Sequence, residues 1–244
     1  MCGIVAYTGS RPVIPILLEG LQRLEYRGYD SAGLALLSSA AGCSVPILAL
    51  KQVGKVRFLA DKCKEQVPDA LHEAGCGIAH TRWATHGLPT EKNAHPHLNQ
   101  GEEFAVVHNG IIENYLELRN YLTKRGHAFR SETDSEVLVH LIAESYAGDL
   151  LQAVAAALSK VTGTYGIAVL SRRDPGVIVT ARKGSPIVIG VGKNENLVAS
   201  DIAALAAYTR RVIYLDDGDI ALITPDEVSV RTLDNVPEIG RAHV

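Results

Sequence analysis

Apolar residues recur along the chain with two different spacings, and these spacings predict its helices and strands. One helical face is formed by the apolar side chains of Val13, Ile14, Leu17, Leu18, Leu21 and Leu24. A similar helical pattern recurs at 112–124, 135–146 and 150–160. We therefore expect an amphipathic helix close to the N-terminus and further helices in the middle of the chain.

Short runs rich in β-branched residues predict strands in the remainder of the chain. These runs are 2–8, 32–37, 46–50, 77–82, 103–108, 165–171, 177–182, 187–191, 212–215, 219–224 and 227–232. Ala40-Ala41-Gly42 is expected to be the turn between the second and third of them, and Asp216-Asp217-Gly218 is typical of a hairpin. So many short strands, with about five helices, predict an α+β fold in which two stacked sheets are covered by helices. Without a repeat or a linker-like stretch, one compact domain is expected.

The composition narrows the classes of protein to which the chain can belong. Lys and Arg total 24 and Asp and Glu total 27, so the formal charge is −3, which argues against a nucleic-acid partner. Hydrophobic residues at 47% and charged residues at 21% are ordinary globular values, which exclude disorder as the main state. No apolar run approaches the ~18 residues of a spanning helix, and Arg11 and Pro12 interrupt any secretory pattern. Neither nucleic acid nor membrane is expected as a partner.

The cysteines argue for a reducing compartment and single out one position. Cys2, Cys43, Cys63 and Cys76 are scattered without a C-x-x-C pair, so neither a disulfide framework nor a zinc site is expected. Cys2 follows the initiator Met, which is usually removed before a small side chain. It would then carry a free α-amine with a pKa of ~7.7–8.0, so nucleophile and general base would belong to one residue. The alternative is a small apolar residue that opens a core strand.

Polar segments that contain glycine could supply the rest of a site around such a nucleophile. Segment 24–33 can also be a helix end with a glycine stop, and segment 80–87 holds the only Trp of the chain. Segment 107–114 contains Asn109-Gly110, which is usually a turn. The same pair can present a side-chain amide and a backbone N–H to one point, as an oxyanion hole requires.

The runs Glu-Tyr-Arg-Gly-Tyr-Asp-Ser-Ala-Gly at 25–33 and Thr-Arg-Trp-Ala-Thr-His-Gly at 81–87, with the Cys2 start, resemble the class II glutamine amidotransferases. Within that family the chain is similar to the glutaminase portion of glucosamine-6-phosphate synthases, from Cys2 to about Thr232. Amidophosphoribosyltransferases tend to have Gln in place of the second Tyr of the first run. The resemblance implies a four-layer αββα sandwich of the N-terminal-nucleophile hydrolase type, with two mostly antiparallel sheets between helical layers.

The resemblance also implies roles in catalysis. Cys2 would be the nucleophile, with its own α-amine as the base. The side chain of Asn109 and the backbone N–H of Gly110 would form the oxyanion hole. Arg27 would support the oxyanion loop. No cofactor and no metal are implied.

Further residues would hold L-glutamine, again by resemblance. Arg82 would bind the α-carboxylate, a bidentate task that Lys performs poorly. Asp134 would pair with the substrate ammonium. Thr85 and His86 would line the pocket, and Trp83 would lie on a mobile loop that closes over it.

Two alternatives remain open for these residues. Thr133-Asp134-Ser135-Glu136 is a capping-box pattern, so Asp134 could simply begin a helix. Five of the nine histidines fall between His80 and His108, including Ala94-His95-Pro96-His97. A metal site is conceivable there, but the spacing matches no standard zinc pattern.

The resemblance implies a larger enzyme of which this chain is one part. Ammonia released from glutamine would serve an isomerase portion that acts on fructose-6-phosphate, in a cytoplasmic enzyme expected to be a homo-oligomer. We expect residues 1–237 to be the glutaminase domain and 238–244 to be a non-native tail, since those residues can be back-translated into a common sequencing adapter. Alternative functions are the glutaminase half of another amidotransferase, such as an amidophosphoribosyltransferase, or a catalytically silent ligand-sensing domain.

Overall fold

A computed structural model of the protein describes residues 2–37, 46–83 and 88–233. The helices are α1 Val13–Leu24, α2 Val56–Gln66, α3 Asp69–His72, α4 Tyr115–Lys124, α5 Glu136–Ser145 and α6 Leu150–Leu158. The first strands are β1 Gly3–Gly9, β2 Ser31–Leu37, β3 Leu48–Val53, β4 Cys76–Arg82, β5 His97–Leu98 and β6 Phe104–Ile112. The later strands are β7 Gly163–Ser171, β8 Ile178–Lys183, β9 Val188–Val191, β10 Glu195–Ala199, β11 Val212–Tyr214, β12 Asp219–Ile223 and β13 Val228–Thr232.

The strands form two sheets. The first sheet has seven strands in the order β11-β9-β10-β1-β4-β2-β3, and the second has six in the order β13-β12-β8-β7-β6-β5. Within both sheets the paired strands run antiparallel. β1, which begins one residue after Cys2, is therefore a central strand, between β10 and β4.

Alternation along the strands builds three apolar layers. On β1, Ile4 and Ala6 face the space between the sheets, where they pack with Val107 and Ala168 of the second sheet. The residues between them, Val5 and Tyr7, pack under α1 and α2. The opposite face of the second sheet packs against α4, α5 and α6. Both sheets are thus buried on both faces, and the predicted αββα sandwich is confirmed.

The predicted hairpin at Asp216-Asp217-Gly218 is wrong. A turn does form there, with Gly218 at φ +94° and the N–H of Asp219 donating to Asp216 O at 3.1 Å. However, β11 pairs with β9 in the first sheet, whereas β12 pairs with β8 and β13 in the second. The turn therefore carries the chain from one sheet to the other.

Some element boundaries also differ from the sequence predictions. The helix expected from residue 112 begins at Tyr115, because β6 continues to Ile112 and pairs there with Gly163 of β7. The expected 40–42 turn lies outside the described residues. Within the described ranges, no helix is long and apolar enough to cross a bilayer.

Candidate active site

Cys2 lies where β1 meets the end of β4. The register pairs Gly3 with Thr81, and a side chain at Gly3 would collide, since a Cβ there would lie 2.7 Å from Thr81 Oγ1. This close approach brings Cys2 beside the residues that follow β4. The backbone N–H of Trp83 donates to Cys2 Sγ at 3.3 Å.

The surroundings of Cys2 keep its thiol protonated at rest. Burial raises the pKa of the Cys2 thiol, and the Trp83 hydrogen bond and the Arg82 charge offset this only in part. Burial raises the pKa of Cys63 further, to about 11, and that of Cys76 to about 12. Cys43 lies outside the described residues. A base is needed to activate the Cys2 thiol, and the two buried thiols are poorer nucleophiles still.

Asn109 and Gly110 reach Cys2 from the second sheet. On β6, Asn109 Nδ2 donates to the carbonyl oxygen of Cys2 at 3.2 Å. Gly110 has φ +139°, and a Cβ there would lie 2.1 Å from Thr164 O, so the position requires glycine. The two sheets thus contribute jointly to one site.

A small cavity of about 40 Å³ lies beside the Cys2 thiol. Its lining residues are Cys2, Arg82, Trp83, His95, His108, Gly110, Thr133, Asp134 and Ser135. The predicted nucleophile, guanidinium, carboxylate and oxyanion-loop glycine therefore surround a single space.

Arg82 and Asp134 place opposite charges at this cavity. The Arg82 side chain is buried and donates from Nη1 to Leu88 O at 3.4 Å. Burial lowers the pKa of Arg82, and the nearby acidic groups of Cys2, Asp134 and Asp30 oppose that shift. Asp134 Oδ2 accepts the backbone N–H of Ile112 at 2.8 Å, which ties the carboxylate to the end of β6.

The capping box considered as an alternative at Thr133–Glu136 does not form. The Glu136 carboxylate accepts the backbone N–H groups of Arg130 and Ser131, each at 2.7 Å, and the Ser131 hydroxyl at 2.6 Å. The N–H of Thr133 donates to Ser131 Oγ instead, at 3.3 Å. The Asp134 carboxylate is held by β6, while its backbone oxygen accepts the N–H of Val137 in the first turn of α5, at 3.4 Å.

The remaining predicted site residues differ in what surrounds them. Trp83 is 45% exposed and packs edge-on against Tyr29, with ring centroids 5.7 Å apart. Thr85 and His86 lie outside the described residues. Arg27 Nη1 pairs with Asp201 Oδ2 at 2.5 Å, and support of the oxyanion loop by Arg27 stays a prediction.

The histidines between 80 and 108 have a role that the sequence reasoning did not assign. His80, His95, His97 and His108 are all buried. His80 and His95 stack at 4.2 Å between centroids, and His97 lies edge-on to His95 at 4.5 Å. Burial lowers the pKa of all four rings. In the part of the chain that the structure describes, no group of three side chains could hold a metal ion. Their clustering in the sequence was the available signal, and in the structure they pack beside the site, where burial disfavours the charged form of each ring.

The residues around the cavity are connected through this histidine cluster. The N–H of His108 donates to His95 Nδ1 at 3.2 Å, and His108 Nδ1 lies 2.7 Å from Ser135 Oγ, next to Asp134. His80 Nε2 lies 3.0 Å from Asn109 Oδ1. The cluster therefore packs behind both the Asn109 amide and the Asp134 segment.

Solved structures with similar folds include two proteins that are less than 25% identical to this chain. The glutamine phosphoribosylpyrophosphate amidotransferase from B. subtilis, complexed with ADP and GMP, superposes with a TM-score of 0.78 at 23% identity. The superposed region covers 98% of this chain and 50% of the B. subtilis chain. A glutamine aminotransferase class-II domain protein from Silicibacter pomeroyi superposes with a TM-score of 0.60 at 17% identity. Both likenesses show the fold alone.

Sequence comparison gives a nearer relationship. The glutamine–fructose-6-phosphate aminotransferases (isomerizing) of Aquifex aeolicus and Thermus thermophilus are each 49% identical over 97% of this chain. That of Thermotoga maritima is 46% identical over the whole chain. The chain spans 38–39% of the length of these relatives. Residues 49–231 match the family described as the glutamine amidotransferase domain, so the chain belongs to that family.

Proposed function

We propose that the chain hydrolyses L-glutamine to L-glutamate and ammonia, with Cys2 as the nucleophile. The observation that carries the proposal is the single cavity shared by the Cys2 thiol, Arg82, Asp134 and Gly110. A thiol, an opposite-charge pair suited to an α-amino acid and a backbone N–H at an oxyanion position are the groups that this reaction needs.

Removal of Met1 would complete the catalytic residue. The α-amine of Cys2 then takes the proton from the thiol as sulfur attacks the side-chain amide carbon of glutamine. When the C–N bond breaks, the amine returns that proton to the leaving nitrogen, so ammonia departs and a thioester remains. Water then attacks the thioester with the same amine as base, and glutamate and the free thiol result.

The other side chains bind and stabilise in this scheme. Asn109 Nδ2 and the N–H of Gly110 stabilise the oxyanion that forms in both steps. Arg82 binds the α-carboxylate and Asp134 the α-ammonium. Thr85 and His86 line the glutamine pocket, Trp83 lies on the loop that closes over it, and Arg27 supports the oxyanion loop. The scheme uses no cofactor.

We propose further that the ammonia is passed to fructose-6-phosphate by an isomerase portion of a cytoplasmic, homo-oligomeric enzyme. Support comes from the 49% identity to relatives named for that reaction. The solved phosphoribosylpyrophosphate amidotransferase is only 23% identical to this chain. The difference in identity favours fructose-6-phosphate over phosphoribosylpyrophosphate as the acceptor.

The test combines glutamate release with labelling by a glutamine-analogue alkylator. We expect one adduct per chain, on Cys2, since burial raises the pKa of Cys63 and Cys76 to about 11 and about 12. Glutamate release should be lost in Cys2→Ala, and the mature mass should lack Met1. A folded chain with Met1 removed that releases no glutamate would favour the silent, ligand-sensing alternative. An adduct found first on Cys43, Cys63 or Cys76 would refute the assignment of the nucleophile.

A further inference from the structure

We infer that His80 is a positioning residue for the proposed reaction: its Nε2–H holds the Asn109 amide with the nitrogen turned toward Cys2. The inference rests on the proposed roles of Cys2 and Asn109. His80 lies on β4, is 1% exposed and, among the described residues, is not one that lines the cavity, so it acts through Asn109.

The neighbours of His80 decide which ring nitrogen carries the proton. Nε2 lies 3.1 Å from the carbonyl oxygen of His108 and 3.0 Å from Asn109 Oδ1. Both neighbours are acceptors, so Nε2 carries the hydrogen. Nδ1 is buried and has no hydrogen-bond partner among the described residues. A second proton on the ring would therefore be left without an acceptor.

The orientation of the Asn109 amide follows from its two contacts. Its nitrogen donates to the carbonyl oxygen of Cys2 at 3.2 Å, and its oxygen accepts from His80. Turning the amide over would set its NH₂ against the His80 N–H and its oxygen against the Cys2 oxygen. Two hydrogen bonds would become two like-with-like contacts, so the His80 donor opposes the flip.

This orientation matters because the amide nitrogen has two hydrogens. One is used by the carbonyl oxygen of Cys2, and the other is available for the oxyanion of the proposed reaction. In the flipped amide, an oxygen with lone pairs would face the developing negative charge. Positioning by His80 thus acts on the transition state more than on glutamine binding.

The ring stays neutral because of what faces it. Burial lowers the pKa of His80 to about 3, against a raising contribution from Asn109, and His108 and Arg82 lower it further. His95 covers one face of the ring by stacking. His80 therefore remains a single-proton donor throughout the pH range in which glutaminases are assayed.

Two substitutions of equal polarity separate positioning from packing. In His80→Gln, the side-chain amide nitrogen can reach the place of Nε2, whereas in His80→Asn the shorter amide reaches only the place of Nδ1. We expect His80→Asn to lower kcat for glutamate release by about 10–100-fold, the usual cost of losing an orienting hydrogen bond, with KM within about twofold. His80→Gln should retain kcat within about threefold of the wild type.

A double-mutant cycle supplies the control. In an Asn109→Ala background, the two His80 variants should have nearly the same kcat, because the group that they position is gone. A difference that persists in this background would overturn the inference. So would a His80→Gln protein that folds, by its Tm, but loses as much kcat as His80→Asn. If His80→Asn fails to fold, the result for His80→Gln decides alone.

A spectroscopic readout keeps this inference separate from the proposed function. The Asn109 side-chain NH₂ resonances, assigned by their loss in Asn109→Ala, should be close to wild type in His80→Gln and displaced in His80→Asn. Absence of glutamate release by the wild-type chain would contradict the proposed function without touching this measurement. Resonances that are unchanged in both variants would contradict positioning by His80.

Discussion

At the residue scale, binding and bond breaking in the proposed reaction depend on different contacts around Cys2. Arg82 shares the cavity with Asp134, so its charge faces the position proposed for the α-carboxylate, a group that does not change during the reaction. Asn109 instead contacts the carbonyl oxygen of Cys2 itself, beside the bond that would form. Interactions equal in ground and transition states change KM, whereas those made only in the transition state change kcat.

The residue-scale prediction is that substitution of Arg82 changes mainly KM, whereas substitution of Asn109 changes mainly kcat. Arg82→Lys should raise the KM for glutamine by about 10–100-fold with little change in kcat, because a point charge replaces a bidentate donor. Asn109→Ala should lower kcat by about 10²–10³ with little change in KM. Steady-state kinetics of glutamate release measures both constants. Equal losses in both constants for both variants would contradict the assigned roles.

At the element scale, the hydrophobic pattern predicted correctly those helices that bury a broad face of apolar side chains. α1 keeps its predicted bounds because seven of its residues are buried. α2 was missed because only Val56, Leu59 and Cys63 are buried, a narrow stripe in a polar helix. β10 begins with polar residues, and its buried Asn196 is satisfied by contacts that no local pattern predicts. Its Nδ2 donates to Thr224 O at 2.7 Å and to Pro225 O at 3.3 Å, and its Oδ1 accepts the N–H of Gly192 at 3.3 Å.

The residues of the candidate site could be predicted from the sequence only where a local run of residues singles them out. Cys2 and Asn109 could be singled out from local runs, although Asn109 meets Cys2 across 107 positions of sequence, whereas the role of Asp134 followed only from the family resemblance. The positioning role of His80 could not be predicted, because it depends on how the two sheets stack. The pairing of the strands around 216–218 could not be predicted either. The turn sequence is the same whether it joins two neighbouring strands of one sheet or two strands of different sheets.

The element-scale prediction concerns Gly33, in the first motif. A Cβ there would lie 2.1 Å from the backbone oxygen of His95 and 2.9 Å from that of Leu50, so β2 can pass the histidine cluster only without a side chain. Gly33→Ala should lower the unfolding free energy by about 1–3 kcal/mol, the usual cost of overpacking. Gly101→Ala is the matched control, since its nearest neighbour would lie at 3.5 Å. Urea unfolding that shows similar losses for both variants would argue against close packing at β2.

At the scale of the whole molecule, the buried histidines link stability to pH. Burial lowers the pKa of His80 to about 3, and lowers that of His95, His97 and His108 as well. In the unfolded chain these rings titrate near 6.5. Below that pH the unfolded state binds more protons than the folded state, so stability falls as the pH decreases toward the folded pKa values.

We therefore expect the unfolding free energy to decline between about pH 6.5 and 5, above the range in which most carboxylates titrate. His80→Gln removes one of the responsible groups, so its unfolding free energy should fall less steeply with decreasing pH. The difference in slope should correspond to about one bound proton. Urea unfolding at half-unit pH intervals measures both slopes. A wild-type stability that is flat from pH 7 to 5 would contradict the neutral state of the cluster.

The last prediction follows from where the proposed glutamine contacts lie on the chain. The nucleophile, the oxyanion groups and the two charged binding residues all fall between Cys2 and Asp134, and β1, β4 and β6 hold or flank them within one pair of stacked sheets. Nothing in the proposed hydrolysis needs a group from the acceptor sugar. The purified chain should therefore release glutamate and ammonia in equal amounts without fructose-6-phosphate, and adding the sugar should leave the rate unchanged. A coupled assay for glutamate and amino sugar checks both points, with Cys2→Ala as the blank. Stimulation by the sugar, or any amino-sugar product, would show that this chain carries an acceptor site of its own.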